Sequence, residues 1–221
     1  MQKQIITTKD GSSSVLIPEM NVTYHSIYGA MQESEHVFIR AGLMPFIESK
    51  TVDTITIFEM GFGTGLNALL SLEHAIIHQQ KIHYIAVELF PLSEKEIECL
   101  SYNEHSFFKE LHHCNWEQDV VLNEYFILHK TKQSIFQYKN FQPINLIYYD
   151  AFAPSAQPEL WTKSIFENVY AWLQENGVLV TYCSKGDVRR AMLAAGFKVE
   201  KLQGPPHKRE MLRAKKVSTA E

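Results

Sequence analysis

The stretch IFEMGFGTGLNALL, residues 57–70, determines the fold class of this chain. Three glycines, Gly61, Gly63 and Gly65, stand at alternate positions between an apolar run and a run with helical periodicity. Glycine adopts positive φ at low cost and lets a ligand approach the backbone closely. A turn that opens a helix also exposes unpaired N–H groups, which suit a polar or anionic ligand. The stretch therefore predicts a ligand-binding turn between a buried strand and a helix.

Strands and helices alternate outward from this turn. Periodicity predicts strands over residues 51–60, 81–90, 124–130, 143–149, 177–184, 197–204 and 209–215. It predicts helices over residues 66–79, 92–103, 158–177 and 186–196. Within the second helix, Ser93 and Glu96 form a capping box, and Gly177 is the predicted C-cap of the third.

This alternation predicts an α/β fold with a Rossmann-like, mostly parallel sheet of seven strands. The last two strands are joined by only a short loop, so they must be antiparallel, and one reversed strand lies at or next to an edge. Residues 1–50 are predicted to be an N-terminal extension, a hairpin plus a helix, packed on the core. The main domain covers residues 51–216, and residues 217–221 form a tail.

Composition limits the class of protein. The chain has 221 residues, of which 45% are hydrophobic, enough for one substantial core. Three dispersed cysteines and ten histidines show no metal-ligand spacing, so no metal site is expected. No apolar run approaches the roughly 20 residues that span a bilayer, and the N-terminus does not resemble a signal peptide. A cytoplasmic protein is expected. The net charge of −4 argues against a protein whose whole surface binds nucleic acid, but it allows a local basic patch.

The acids near the glycine turn indicate the ligand. A dinucleotide fingerprint G-x-G-x-x-G would require a third glycine where this chain has Leu66. Glu59, just before the turn, would repel a pyrophosphate but suits an ammonium group. S-adenosylmethionine carries both an amine and a sulfonium. Glu88, at the end of the second strand, can accept hydrogen bonds from both ribose hydroxyls. These positions favour S-adenosylmethionine over a dinucleotide.

The most distinctive stretch is YYDAFAPSAQPELW, residues 148–161. Asp150 follows the fourth strand, so its carboxylate is expected at the sheet edge where open α/β folds bind ligands. Tyr149 and Phe152 offer flat apolar surfaces beside it, while Trp161 is assigned to the core. A carboxylate among aromatic rings suits an amine or a nucleobase better than an oxyanion. Asp150 is therefore interpreted as a functional group, and helix capping is the alternative.

Four motifs in this order carry a family resemblance: MGFGTGLN, VELFPLS, YYDAFAPSAQPELW and KREML. The chain resembles the methyltransferase half of the bacterial bifunctional tRNA 5-methylaminomethyl-2-thiouridine biosynthesis protein, from about Tyr24 to about Arg213. The resemblance implies a class I S-adenosylmethionine-dependent methyltransferase. It also implies a stand-alone tRNA-modifying enzyme that methylates the exocyclic amine of 5-aminomethyl-2-thiouridine at the wobble position. The partners implied are the tRNA anticodon loop and a separately encoded enzyme that supplies the aminomethyl uridine.

The resemblance also implies roles for individual residues. Asp150 is the catalytic acid beside the amine. Glu59, Gly61, Gly63, Gly65 and Glu88 would hold the cofactor, and Thr64, Asn67 and Gln133 are further predicted cofactor-binding residues. The family usually has an acidic residue near the adenine, where this chain offers Lys130, Lys132 and Gln133. The substrate-binding residues are Tyr149, Phe152, Lys208 and Arg209.

Residues 207–216, HKREMLRAKK, hold five Lys or Arg against one Glu. This basic segment is predicted to contact tRNA phosphates, and a solvated edge strand is the alternative. Two other functions stay open: an N-methyltransferase of a small amine, which would not need the basic segment, and a non-catalytic S-adenosylmethionine-binding module, which would not need Asp150.

Overall fold

The computed structural model describes residues 2–140 and 142–217. Of the predicted tail, only Val217 falls within this range. A central twisted sheet carries the fold, with helices on both faces. In the described part of the chain, every helix is too short or too polar to cross a membrane.

The central sheet contains all seven predicted strands. They are β4 (Thr54–Met60), β5 (Lys81–Val87), β7 (Phe126–Thr131), β8 (Ile144–Tyr149), β9 (Leu173–Thr181), β10 (Lys198–Gln203) and β11 (Glu210–Lys215). The sheet order is β10-β11-β9-β8-β4-β5-β7-β6, where β6 is Asp119–Asn123. Strands β9, β8, β4, β5 and β7 are parallel. The reversed strand β11 lies next to one edge, as predicted.

The prediction of seven strands with one reversed strand is wrong at the other edge of the sheet. There β6 pairs antiparallel with β7, which makes eight strands and a second reversed one. The pairing is a hairpin, with Asn123 opposite Phe126. The segment was missed because it is short, DVVLN, and its three apolar residues do not alternate with polar ones; its side chains are exposed or half-buried.

A helix is present in each of the four predicted ranges. The helices are α3 (Leu66–His78), α4 (Glu94–Glu98), α5 (Phe108–His113), α6 (Lys163–Trp172) and α7 (Gly186–Ala194), with short 3-10 helices at Ser101–Glu104 and Pro158–Trp161. Those predicted over residues 92–103 and 158–177 are shorter in the structure, and α5 was not predicted. The capping box is present: the Ser93 backbone N–H donates to Glu96 Oε2 at 2.6 Å. Gly196, just past α7, has φ 102°.

Gly177 is not a helix C-cap. Helix α6 ends at Trp172, and Gly177 lies inside β9, where the register with β8 shifts between Ile144 and Leu146. A Cβ at Gly177 would lie 2.9 Å from the Gln174 carbonyl oxygen, so this irregularity needs glycine. The predicted helix was too long because the sequence signal of a bulge glycine resembles that of a C-cap glycine.

The N-terminal extension forms a small antiparallel sheet and a long helical segment. The sheet contains β1 (Gln4–Thr7), β2 (Ser13–Ile17) and β3 (Val22–Thr23), with a 3-10 turn at Pro18–Met20. The helical segment runs through α1 (Ala30–Ser34), a π-helical stretch (Glu35–Leu43) and α2 (Met44–Ser49). The predicted hairpin is therefore present as β2 and β3, and β1 pairs with β2 as a third strand.

The sheet separates two apolar cores. One lies between the sheet and the helices α3 and α5 and includes the π-helical stretch; the other includes α6 and α7. The neighbouring residues Tyr148 and Tyr149 face opposite cores, because side chains alternate along a strand. Both faces are covered, so the strand ends are the part of the sheet open to a ligand. The strands β4, β5 and β8 are parallel neighbours, so their carboxyl ends lie side by side at the same end of the sheet.

Candidate active site

A cavity of about 660 Å³ opens at the carboxyl ends of β4, β5 and β8. This volume is in the range of small-molecule and cofactor sites. Backbone and side chains from both the sheet and the N-terminal extension enclose it. The residues of predicted function that line it are Gly61, Gly63, Asn67, Glu88, Gln133, Asp150 and Phe152.

The glycine turn forms the floor of the cavity. Gly61, Gly63 and Gly65 have φ of 92°, 52° and 72°, which confirms the predicted need for glycine. The Gly61 N–H donates to the Val87 carbonyl at 3.0 Å and ties the turn to the end of β5. A Cβ at Gly61 would lie 3.3 Å from the Asp150 carbonyl oxygen. The missing side chain thus lets the chain after β8 approach the turn.

Glu88 lies beside the turn with its carboxylate fixed by backbone donors. The N–H of Gly63 donates to Oε2 at 3.0 Å, and the N–H of Phe90 donates to Oε1 at 2.7 Å. Each carboxylate oxygen can accept a second hydrogen bond. The side chain is half-buried, so its remaining acceptor sites face the cavity.

Asp150 does not cap a helix. Its Oδ2 accepts a hydrogen bond of 3.0 Å from the Asn67 side-chain amide, which also donates to Glu59 Oε1 at 2.9 Å. Asn67 therefore bridges two carboxyl groups. Glu59 itself is 1% exposed and lies behind Asn67, outside the cavity lining. The structure therefore does not place Glu59 where it was predicted, on the wall of the cofactor cavity, whereas Asn67 lines that cavity.

Burial raises the pKa of both acids. The pKa of Asp150 rises to about 8, chiefly through burial and then through the nearby charge of Glu33. The Asn67 hydrogen bond and the Lys208 charge act in the opposite direction. Because the Asp150 side chain reaches the cavity, water there offsets part of the burial. The pKa of Glu59 is raised well above its usual value, first by burial.

The N-terminal extension supplies a wall of the cavity that sequence reasoning missed. Its lining residues are Lys3, Ile17, Met20, Tyr24 and His25. The Tyr24 ring meets Phe152 edge-on, with 5.3 Å between centroids. Lys3 Nζ donates to the carbonyls of Phe90 and Pro91 at 3.1 and 3.3 Å, which fixes β1 against the loop after β5. No local pattern signals these contacts, since they join residues more than 80 positions apart.

Three other predicted site residues lie outside the cavity lining. Thr64 is buried, and its hydroxyl is 2.7 Å from His25 Nε2. Gly65 packs against His112 and Phe62. The predicted role of Tyr149 as a stacking surface for the substrate is wrong. Its ring is fully buried in the second core, against Trp161 and Phe166. Trp161 is in that core as predicted, 5% exposed.

Lys208 and Arg209 also lie outside the cavity lining. Lys208 Nζ forms an ion pair with the buried Glu33 and lies 4.3 Å from the centroid of the Tyr182 ring. Arg209 is exposed. Much of the basic segment is engaged within the fold: Arg213 pairs with Glu200, and Lys216 Nζ donates to two carbonyls at the end of α6.

The region after β7 explains one departure from the family pattern. Lys130 is fully buried, and its Nζ donates to the carbonyls of Leu111 and His112 at 2.6 and 2.7 Å. It therefore binds the C-terminal end of α5 and not a ligand. Gln133 and Ser134 line the cavity instead. Gln133 thus stays the candidate for the adenine contact.

A parallel sheet, a glycine turn and acids at the strand ends define a class I methyltransferase. A family model described as S-adenosyl-L-methionine-dependent methyltransferase matches residues 96–217. The chain belongs to this family.

The chain is also similar to particular proteins of known sequence and structure. The chain is 29% identical over 210 residues to the tRNA 5-methylaminomethyl-2-thiouridine biosynthesis bifunctional protein MnmC of Methylobacillus flagellatus, which covers 86% of this chain and 32% of that protein. It is 31% identical over 208 residues to the MnmC protein of Leptospira interrogans, with the same coverage. The crystal structure of MnmC2 from Aquifex aeolicus aligns with TM-score 0.80 and 27% identity over 96% of this chain and 69% of that one. The chain spans about a third of the length of these two MnmC relatives.

The residues at the cavity fit S-adenosylmethionine. Asn67 Oδ1 is buried and lacks a hydrogen-bond partner among the described residues. Such an acceptor costs about 1–3 kcal/mol unless a donor reaches it. Three carboxyl groups, Glu88, Asp150 and Glu159, line the cavity against one lysine, Lys3. An acidic cavity with an unpaired acceptor favours a ligand that carries ammonium and sulfonium charge.

Proposed function

We propose that this protein transfers a methyl group from S-adenosylmethionine to the exocyclic primary amine of 5-aminomethyl-2-thiouridine at the tRNA wobble position. The observation that carries this proposal is Asp150, a carboxyl group of raised pKa that lines the cavity beside the glycine turn. The substrate class comes from the MnmC relatives, whose names describe biosynthesis of 5-methylaminomethyl-2-thiouridine in tRNA.

Four parts of the cavity would hold the cofactor. The Gly61–Gly63 turn would receive the methionyl group, and Asn67 Oδ1 would accept from its ammonium. Glu88 would accept from the ribose hydroxyls, and Gln133 would face the adenine amine. Thr64 and Gly65 would act indirectly by shaping the turn. When bound, S-adenosylmethionine supplies an electrophilic methyl group on a positive sulfur.

Asp150 would prepare the amine for attack. An alkylamine has a pKa of roughly 10, so it arrives mostly as an ammonium ion and must lose a proton before its lone pair can attack. An ordinary aspartate lies about six pKa units below the amine and is a poor acceptor. With a pKa of about 8, Asp150 reduces this gap to about two units. Its carboxyl group then passes the proton to water in the cavity.

The other side chains near Asp150 would orient the nucleoside. The wobble base lies in a single-stranded loop, so it can leave the stack and lie against an aromatic ring. Phe152 lines the cavity and is braced by Tyr24, which makes it the candidate surface. Asp150 in its ionised form would also stabilise the positive charge that moves onto nitrogen.

The chemistry requires a preceding reaction that delivers a free primary amine on the uridine. A separate enzyme would supply it, and a tRNA substrate would place both steps in the cytoplasm. The rival function is methylation of a small amine. One observation favours this rival: Lys208, Arg213 and Lys216 are engaged within the fold and are not free for phosphates.

Methyl transfer from labelled S-adenosylmethionine tests the proposal directly. The purified protein should label tRNA that carries 5-aminomethyl-2-thiouridine, and mass spectrometry should find 5-methylaminomethyl-2-thiouridine at the wobble position. The Asp150→Asn variant should bind cofactor normally and transfer methyl groups at least 100-fold more slowly. Equal labelling of free small amines and none of tRNA would establish the rival function.

A further inference from the structure

We propose that Asn67 is a positioning residue that holds Asp150 against the buried carboxyl group of Glu59, so that only one of the two acids, Asp150, ionises. This inference rests on the proposed function. It assigns Asn67 and Glu59 to the proton chemistry of the site, in addition to any contact with the cofactor.

The geometry fixes the orientation of the Asn67 amide. One atom of that amide lies 2.9 Å from Glu59 Oε1 and 3.0 Å from Asp150 Oδ2. Ionised Asp150 can only accept, so the amide atom that faces it must be the NH₂ group, which can donate to Glu59 as well. The opposite orientation would place the amide carbonyl oxygen against the Asp150 carboxylate and leave the NH₂ group without an acceptor. The nitrogen therefore bridges the two acids.

The fold holds this bridge rigidly. Glu59 is the penultimate residue of β4, Asp150 follows β8, and these strands are paired neighbours in the sheet. Asn67 lies in the first turn of α3 and is 2% exposed. The backbone carbonyl oxygen of Asn67 accepts a hydrogen bond of 2.7 Å from Ser71 Oγ within the same helix. Because all three residues sit on packed elements, Asp150 Oδ2 is fixed and its other oxygen is left to receive the substrate proton.

Two acids so close cannot both ionise at low cost in a buried site. Asp150 reaches the cavity, whereas Glu59 does not, so Asp150 ionises first and Glu59 stays neutral. Burial and the Asp150 charge both raise the pKa of Glu59. The titratable and charged groups that face the pair from neighbouring elements are Glu33, Tyr84, Glu88, Tyr148, Tyr182 and Lys208.

Two variants separate this role from a purely structural one. Asn67→Ala removes the hydrogen bond that stabilises ionised Asp150, so the pKa of Asp150 rises. The acid limb of the pH profile of kcat/KM should move upward by about one to two pH units. Glu59→Gln keeps a neutral acceptor for Asn67, so it should move the acid limb by less than about half a pH unit. If Glu59 were an ionised ligand of the cofactor ammonium, Glu59→Gln would lose at least tenfold in affinity.

Asn145→Ala is the matched control. Asn145 is also a buried asparagine, 3% exposed, and it accepts from the Thr56 N–H at the amino end of β8, away from the cavity. The Asn145→Ala substitution should lower thermal stability without moving the pH profile of kcat/KM. A shift in this control as large as in Asn67→Ala would refute the positioning role.

A titration of the ligand-free protein gives a readout that does not depend on catalysis. Carbon-13 NMR of labelled Asp and Glu should show the Asp150 carboxyl titrating at higher pH in Asn67→Ala than in wild type. An unchanged Asp150 titration in a folded Asn67→Ala protein overturns this inference and leaves the proposed function standing. An Asp150→Asn variant that keeps full transferase activity overturns the proposed catalytic role, whatever the titration shows.

Discussion

At the scale of single residues, Glu88 shows how a backbone prepares a side chain for a ligand. Two N–H donors hold its carboxylate in one orientation before any ligand arrives. This preorganisation lowers the entropy that ligand binding must overcome. The same reasoning applies to Asn67, which is fixed by two carboxyl groups.

Glu88→Ala should weaken S-adenosylmethionine binding by about 1–3 kcal/mol, the range for a lost charged hydrogen-bond partner. Isothermal titration calorimetry on the purified protein measures this. Glu48→Ala, an exposed glutamate on α2, is the matched control and should bind as wild type does. Unchanged affinity in Glu88→Ala would remove Glu88 from the ribose site.

Asp150→Asn should stabilise the ligand-free protein at alkaline pH. The folded pKa of about 8 lies above the usual 3.8, so the folded state binds a proton that the unfolded state releases in this window. Wild-type stability therefore falls as the pH rises from about 4 to about 8, and the variant lacks this loss. Thermal melts should show a Tm advantage for the variant that is small at pH 5 and larger at pH 8.5. A constant difference across this range would contradict the raised pKa.

At the scale of elements, β1 closes the cavity. Its neighbour Lys3 contacts two carbonyls of the loop after β5 and pairs with Glu96 at 3.7 Å. The cavity wall from the N-terminal sheet therefore depends on a few polar contacts across its rim. Lys3→Ala should weaken cofactor binding about three- to tenfold, about 1 kcal/mol, with little change in Tm. Lys95→Ala, an exposed lysine on α4, is the control, and equal affinities in the two variants would exclude a role for this contact.

The strand pair β10–β11 raises the question of tRNA contact. Lys216 binds carbonyls of Tyr170 and Leu173, so replacing it tests the fold and not RNA binding. Arg209 and Lys215 are better probes. If each contacts a phosphate, each substitution by alanine should make the slope of log affinity against log salt shallower by roughly 0.7–0.9. Lys81→Ala, at the amino end of β5, should leave the slope unchanged. Overlapping salt titrations for all variants would mean that this strand pair does not contact tRNA.

At the scale of the whole molecule, the cofactor should stabilise the fold. A ligand at 100 times its Kd adds about 2.7 kcal/mol to the stability of the state that binds it. For a chain of this size, this corresponds to a rise in Tm of about 5–11 °C. Differential scanning fluorimetry should show this rise with S-adenosylmethionine and none with NAD. The opposite pattern would contradict the cofactor assignment.

The α/β class, the glycine turn, and the placement of Glu88 and Asp150 at strand ends could all be predicted from the sequence. These features depend on local periodicity and on glycine conformation, which a short stretch encodes completely. Because open α/β sheets bind ligands at the carboxyl ends of their strands, these acids could be predicted to lie together without any knowledge of contacts.

Which residues face the cavity could be seen only in the folded protein. Tyr149 and Asp150 are adjacent in sequence, yet Tyr149 is buried in the second core while Asp150 reaches the cavity, because neighbouring side chains on an extended chain point in different directions. The cavity wall from the N-terminal sheet, the ion pair of Lys208 with Glu33 and the bridge of Asn67 all join distant parts of the chain. Such contacts depend on packing and charge in three dimensions and leave no periodic signal in the sequence.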